Sequence, residues 1–296
     1  MTRHLVFVHG RAQEGKESVG LKQEWIQAWK KGLAKSGLEI PIADSDIHFP
    51  YYGDTLDQMV QGKSVAAAAQ VVVRGNELTA EQDEFMREYL AEVQAQALIT
   101  DADVMAELNA AVSERGVLNW GWVQSLLSVL DRRVPLASGA SVALFTNDVF
   151  KYLNVEKIRS TIEKGVLSAF TPGTETVVVS HSLGTVVAYN VLNALASVNS
   201  LKVPLFMTLG SPLAVKVIKK TIRPIKHPAC ATHWFNAMDD RDVVSLFPLD
   251  AENFDVAPPI ENKTDVDNDT PNRHGISGYL GDAVVAKRIY DALVMQ

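Results

Sequence analysis

An apolar, β-branched run, Val177-Val178-Val179, stops at Ser180-His181-Ser182-Leu183-Gly184, and a helical pattern resumes at once with Thr185-Val186-Val187. A buried strand that turns directly into a helix leaves few folds open. The turn must be tight, and the residues flanking its apex must be small. Gly184 meets that need on one side and Ser180 on the other. A side chain at the apex stands proud of the sheet with a helix N-terminus beneath it. Ser182 occupies that apex. A serine hydroxyl is a poor nucleophile in water, and such a turn, with a histidine alongside, makes it a useful one.

Strand and helix patterns alternate around this turn. Leu5-Val6-Phe7-Val8 reads as a buried strand ending in His9-Gly10, and Val19 to Lys35 as a helix with Leu21, Trp25, Trp29 and Leu33 on one face and Gly37 at its C-cap. Leu38 to Ile42 is read as a second strand and Phe49 to Asp54 as a loop. Between about 55 and 150 the pattern is helical: Phe85, Met86, Tyr89, Leu90 and Val93 mark one helix, Val104, Leu108 and Val112 another, and Trp120, Val123, Leu126, Leu127 and Leu130 a third. Val155 to Phe170 continues as helix. Beyond the Ser182 turn, Val187, Val191, Leu195 and Val198 line a helix. Val203 to Leu209 and His233 to Met238 read as strands, and Ala283 to Leu293 as a final helix. The predicted class is α/β: a single domain over 1–296, with a parallel sheet flanked by helices and a helical cap inserted at 55–150. Chemistry in such sheets collects at the carboxyl ends of the strands. His9, Ser182, Ser211 and the Asp239–Asp242 loop all fall there.

Composition narrows the partners. The chain of 296 residues carries a formal net charge of −7 with no long basic block, which argues against nucleic acid. No apolar run approaches the length of a membrane span, so stable membrane insertion is not expected. Cys230 is the single cysteine. It can form no intrachain disulfide, and with a core strand entered at Leu5 in place of a signal peptide, a cytoplasmic setting is expected. Cys230 itself reads as a small buried hydrophobe. The oligomeric state is not legible.

Ser182 needs a base, and His274 fits best, in the polar stretch Asn272-Arg273-His274-Gly275 just before the last helix. His181 is its neighbour on a tight turn and is poorly placed for the role. His9 is expected to brace the loop that follows it. His4, His48, His227 and His233 read as ordinary surface or core histidines. The base in turn needs an acid to hold its tautomer. Trp234-Phe235-Asn236-Ala237-Met238-Asp239-Asp240-Arg241-Asp242-Val243-Val244 offers Asp242, with Asp239 as the alternative and Asp240 as a turn residue. The oxyanion hole would use the amides of Leu183 and of Arg11, with Ala12 as an alternative to Arg11. Asp265-Val266-Asp267-Asn268-Asp269 begins like a calcium loop, but Thr270 and Ile276 stand where glycine and glutamate are required, so no metal site is expected.

These pieces resemble the α/β-hydrolase superfamily and, within it, the lipase- and esterase-like branch. The resemblance is carried by Val8-His9-Gly10, Val179 to Gly184, Thr208-Leu209-Gly210-Ser211-Pro212-Leu213, Trp234-x-Asn236 with Asp242-x-Val244, and His274 with Tyr279-Leu280. The chain order Ser182, Asp242, His274 agrees with it; Ser180 in place of the first motif glycine is a departure. The resemblance implies a Ser-His-Asp site, no cofactor and an acyl-enzyme intermediate. It leaves the 55–150 segment unmatched and the substrate open. Large apolar residues at 117–130 and 143–150 would make an acyl pocket if the inserted segment serves as a lid, hence a hydrophobic ester or lipid substrate, whereas most of them are expected simply to pack the insertion onto the domain. A peptidase, a thioesterase, a regulatory protein without activity or a membrane-surface protein using the inserted helices are the alternatives.

Overall fold

The computed structural model describes residues 2–10, 18–52, 78–112, 120–133, 139–194 and 200–295. The expectations for Arg11 and Ala12, for Gly53 and Asp54 and the start of the inserted segment, for 117–119, and for Leu195 and Val198 fall outside the described residues.

Six strands form one all-parallel sheet, in the order β2 (Ile47–His48), β1 (His4–Val8), β3 (Thr176–His181), β4 (Val203–Leu209), β5 (Ala231–Ala237) and β6 (Glu261–Lys263). The central strands β1, β3 and β4 are rich in Val, Leu and Phe because helices cover both faces, leaving no solvent side to alternate with. One face carries α1 (Ser18–Ala34), α9 (Ile276–Leu280) and α10 (Ala283–Val294). There Phe7, Trp25, Trp29, Val179 and Ile289 share a core, and Asp282 caps α10 by accepting the amides of Val284 and Val285.

The other face is covered by the inserted helices α2 (Ala80–Gln96), α3 (Asp101–Val112), α4 (Gly121–Arg133) and α5 (Gly139–Asn154), followed by α6 (Glu156–Leu167), α7 (Leu183–Ala194) and the short α8 (Lys216–Thr221). Their apolar faces join Val6, Val8, Val178 and Phe206 of the sheet in one continuous core. Thr79 and Gln82 form a reciprocal capping box at the start of α2. The inserted layer does not end at 150, since α5 runs on to Asn154.

The expected strand at 38–42 is absent. Leu38, Ile40 and Ile42 are half-buried against the α1 core, but Pro41 has no N–H to offer a ladder. The edge position is taken instead by Ile47 and His48, which pair with Leu5 and Val6. Strand β6 and helix α9, which carry too few residues to show a periodicity, are additions to the expected elements.

Candidate active site

Strand β3 ends at His181, and Ser182 bridges it to α7 with φ at 58°. That left-handed conformation costs a non-glycine residue about 1–2 kcal/mol. Its neighbours enforce it. The Ser182 amide donates to Leu209 O at 3.1 Å, and the Ser182 carbonyl accepts from Thr185 N at 2.9 Å and Thr185 Oγ1 at 2.7 Å. Ser180 Oγ donates across to Met207 O at 2.8 Å, so the residue replacing the first motif glycine is buried and satisfied. Gly184 is obligatory on space alone: a β-carbon there would run into the carbonyl oxygens of Val8 and His9. At Gly10 one would come within 2.8 Å of Ser182 Cβ, which shows how closely the end of β1 approaches the serine.

His274 Nε2 lies 2.8 Å from Ser182 Oγ, and His274 Nδ1 lies 2.7 Å from Asp242 Oδ2. A carboxylate only accepts, so Nδ1 carries the hydrogen. A neutral ring that donates from Nδ1 must accept at Nε2, and the serine hydroxyl is its donor. Asp242 is buried and fully engaged: Val244 N donates to Oδ1 at 2.8 Å, and Ser245 Oγ and Tyr279 Oη donate to Oδ2 at 2.9 and 2.6 Å. Burial by itself would raise this carboxyl. The charge of His274 and the hydrogen bonds from His274, Tyr279 and Val244 outweigh burial and hold it below the usual carboxylate range. Burial and the neighbouring Asp242 keep the Tyr279 phenol protonated, hence a donor.

The alternative acid, Asp239, does a different task. Its Oδ1 accepts from Arg241 N at 2.8 Å and its Oδ2 from Asn268 N at 2.9 Å. Asn268 is fully buried. Its Oδ1 accepts from Thr270 N and Oγ1, its Nδ2 donates to Gly275 O at 2.9 Å, and Thr270 Oγ1 accepts from Gly275 N at 2.8 Å. Asp267 binds both Arg241 and Arg273 at 2.8 and 2.7 Å. The acidic stretch at 265–269 therefore anchors the His274 segment. Among the described residues no group of three or more His, Cys, Asp or Glu side chains could hold a metal ion.

His181 precedes the serine on β3, and His9 follows the paired strand β1. His181 Nε2 donates to the main-chain carbonyl of His274 at 2.7 Å, and the two rings lie 4.7 Å apart. Burial, helped by His274, pushes the His181 imidazole down to about 3. His9 stacks on Tyr52 at 4.0 Å and Phe49 at 5.2 Å, and its Nδ1 donates to Gly10 O at 2.6 Å. The Tyr52 hydroxyl closes the cluster on His9 O. His9 thus holds the first residue of the loop it was expected to brace, and burial lowers it to about 4. Leu183 opens α7, so its amide has no partner within the helix ladder. The other histidines are remote: His4 and His48 pair at the opposite end of β1, and His227 packs edge-on to Trp234.

The inserted layer reaches this cluster through α2 and α5. Phe145 stands edge-on to the His274 ring at 6.3 Å and packs near Tyr89 at 6.1 Å, and Tyr89 Oη donates to Val244 O at 3.4 Å. Leu126, Leu127 and Leu130 are packed into the core, as expected for most of the large apolar residues of this segment. Phe150 likewise packs against Phe85 at 5.5 Å.

No family model, curated protein or solved structure matches this chain. The contacts Asn268 makes and the His181-to-carbonyl bond have no sequence signal. One lies in a stretch that mimics a metal loop, the other in a residue whose neighbour on the turn masks it.

Proposed function

We propose that the chain is a serine hydrolase of the α/β-hydrolase type that cleaves a carboxylic ester with an apolar acyl group through an acyl-enzyme. The observation that carries the reading is the unbroken hydrogen-bonded chain from Ser182 Oγ through His274 to Asp242, at 2.8 and 2.7 Å. Ser182 Oγ attacks the ester carbonyl as His274 Nε2 takes its proton. Asp242 and the helix-start amide of Leu183 stabilise the imidazolium and the oxyanion respectively. The second oxyanion donor is assigned to the Arg11 amide. Collapse of the tetrahedral species passes the proton to the leaving alkoxide, and the alcohol departs. Water, deprotonated by the same imidazole, then splits the acyl-enzyme to the free acid and restores Ser182.

Phe145 beside the imidazole supports an apolar acyl group, since it offers an aromatic wall where that group would lie. The single cysteine is half-buried, and burial raises its thiol to about 11, which leaves it out of the proposed chemistry. The test is labelling with a fluorophosphonate together with turnover of p-nitrophenyl esters of rising chain length. The reading expects labelling that disappears in Ser182→Ala and turnover that rises with chain length. An unlabelled Ser182 in folded protein overturns it.

A further inference from the structure

Resting on the hydrolase reading of Ser182, we propose that His181 is a positioning residue: its Nε2–H, given to the main-chain carbonyl of His274, fixes the backbone that carries the general base. The ring of His274 is held at both nitrogens, but its backbone belongs to a segment without regular secondary structure, entered through Arg273 at a φ of 56°. Thr270 and Asn268 hold Gly275 on one side of His274, and Asn272 accepts the His274 amide, while the carbonyl of His274 is taken by His181. His181 ties that backbone to the centre of the sheet. It is the last residue of β3, paired with Leu209, and its ring is flanked by Trp25 at 6.1 Å and Tyr279 at 5.9 Å. The bond to the carbonyl is 2.7 Å long, and a carbonyl can only accept, so the tautomer of His181 is defined.

Neutrality is part of the device. The rings of His181 and His274 lie 4.7 Å apart. Catalysis makes His274 a cation, and a second cation at that distance would oppose it. Burial keeps His181 uncharged, so it can hold the backbone without repelling the imidazolium. A lysine or arginine in the same place could donate the bond but would carry the wrong charge. The residue beside the nucleophile thus acts on the base through the base's own backbone.

Two variants separate positioning from bulk. His181→Met keeps length and apolar contact but loses the donor. It is expected to lower kcat about ten- to a hundredfold with KM held within about threefold. His181→Gln keeps an uncharged N–H donor of similar reach and is expected to stay within about threefold of the parent in kcat. The low-field proton resonance of the Asp242–His274 bond should be sharp in the parent and the Gln variant and broadened in the Met variant. Equal kcat in all three proteins overturns the proposal, as does a Gln variant that folds but has lost as much rate as expected for Met. Should the Met variant fail to fold, His181→Phe, which fills the site without an N–H donor, takes its place with the same expected loss. If the parent neither labels nor turns over esters, the hydrolase reading fails, and the resonance comparison still decides whether His181 holds His274.

Discussion

Asp239 and Asp242, on one turn after β5, hold two different parts of a single segment. Asp242 accepts the imidazole hydrogen of His274 at 2.7 Å, whereas Asp239 accepts the amide of Asn268 at 2.9 Å, and Asn268 in turn reaches the carbonyl of Gly275. Tyr279 joins the two: its hydroxyl donates to Asp242 and accepts the Asp239 amide. One carboxylate orients the ring, the other the backbone beside it.

The two aspartates should therefore fail differently. In Asp242→Asn the amide offers a hydrogen to His274 Nδ1, forcing the hydrogen onto Nε2, where it can no longer accept from Ser182. Loss of kcat by about 10³–10⁴-fold is expected, with the fold retained. In Asp239→Asn an amide hydrogen must face an N–H donor, leaving a buried bond unmade at a cost of about 1–3 kcal/mol. Urea unfolding and ester turnover on both variants check this. Equal catalytic losses in the two would contradict the division of tasks.

Much of this geometry is legible from residues alone because it follows from chain direction. In a parallel sheet every strand delivers its C-terminal end to one edge, so Gly10, Ser182 and the Asp239–Asp242 turn are brought together by topology. His274 is legible as the histidine in a polar segment between that turn and a strongly periodic helix. What is not legible depends on where a loop folds back. Nothing local distinguishes Asn268 from its acidic neighbours, and Asp239 from Asp242 is decided by Tyr279 and Asn268 arriving from the same later segment. Leu38, Ile40 and Ile42 alternate as a strand would, and Pro41 denies them one. Phe145 looks like Leu126 or Leu130 in sequence; only the packing of α5 turns it toward the site.

Gly184 is where strand, turn and helix meet most tightly. A methyl group there would meet the carbonyl oxygens of both Val8 and His9, and neither backbone can yield without moving β1. Gly184→Ala is expected to destabilise the protein by more than about 3 kcal/mol, at the upper end for overpacked sites. Gly173, with no heavy atom near its β position, supplies the comparison but has a φ of 78°, so Gly165, equally open and helical, is the better control. Gly165→Ala should be neutral or mildly stabilising. Thermal melts of the two variants test the contrast, and a Gly184→Ala protein melting with the parent would refute it.

Stability should fall as the pH drops from about 8 to about 5. His9 and His181 titrate at about 4 and about 3 in the folded protein, below their ordinary 6.5, so the unfolded chain binds protons first. Their contribution is complete above 6.5 and is lost as the pH falls from there toward 4 and 3. Each unit of difference is worth about 1.4 kcal/mol, and His48 and His227, also lowered by burial, act in the same direction. The depressed Asp242 acts lower, its contribution being lost only as the pH falls past the ordinary carboxylate range. Glu92 and Glu163, raised by burial, oppose the histidines in part. Urea midpoints for the parent and His9→Gln at both pH values measure the effect, and the drop should shrink in the variant. Equal parent midpoints at the two values would show that the histidines do not govern acid stability.

Phe145 connects the inserted helices to the His274 cluster. Its ring is edge-on to His274, while Phe150 on the same helix packs against Phe85 in the core. If the wall beside the imidazole receives the acyl chain, Phe145→Ala should lower kcat/KM about tenfold for a long-chain p-nitrophenyl ester and less than about threefold for the acetate, because only the long chain buries methylenes against the ring. Phe150→Leu, a comparable loss of aromatic packing away from the base, should leave that ratio unchanged. A uniform loss across chain lengths in Phe145→Ala would make Phe145 a packing residue. The acyl group would then have to lie against another wall, and α5 would serve the site only by covering it.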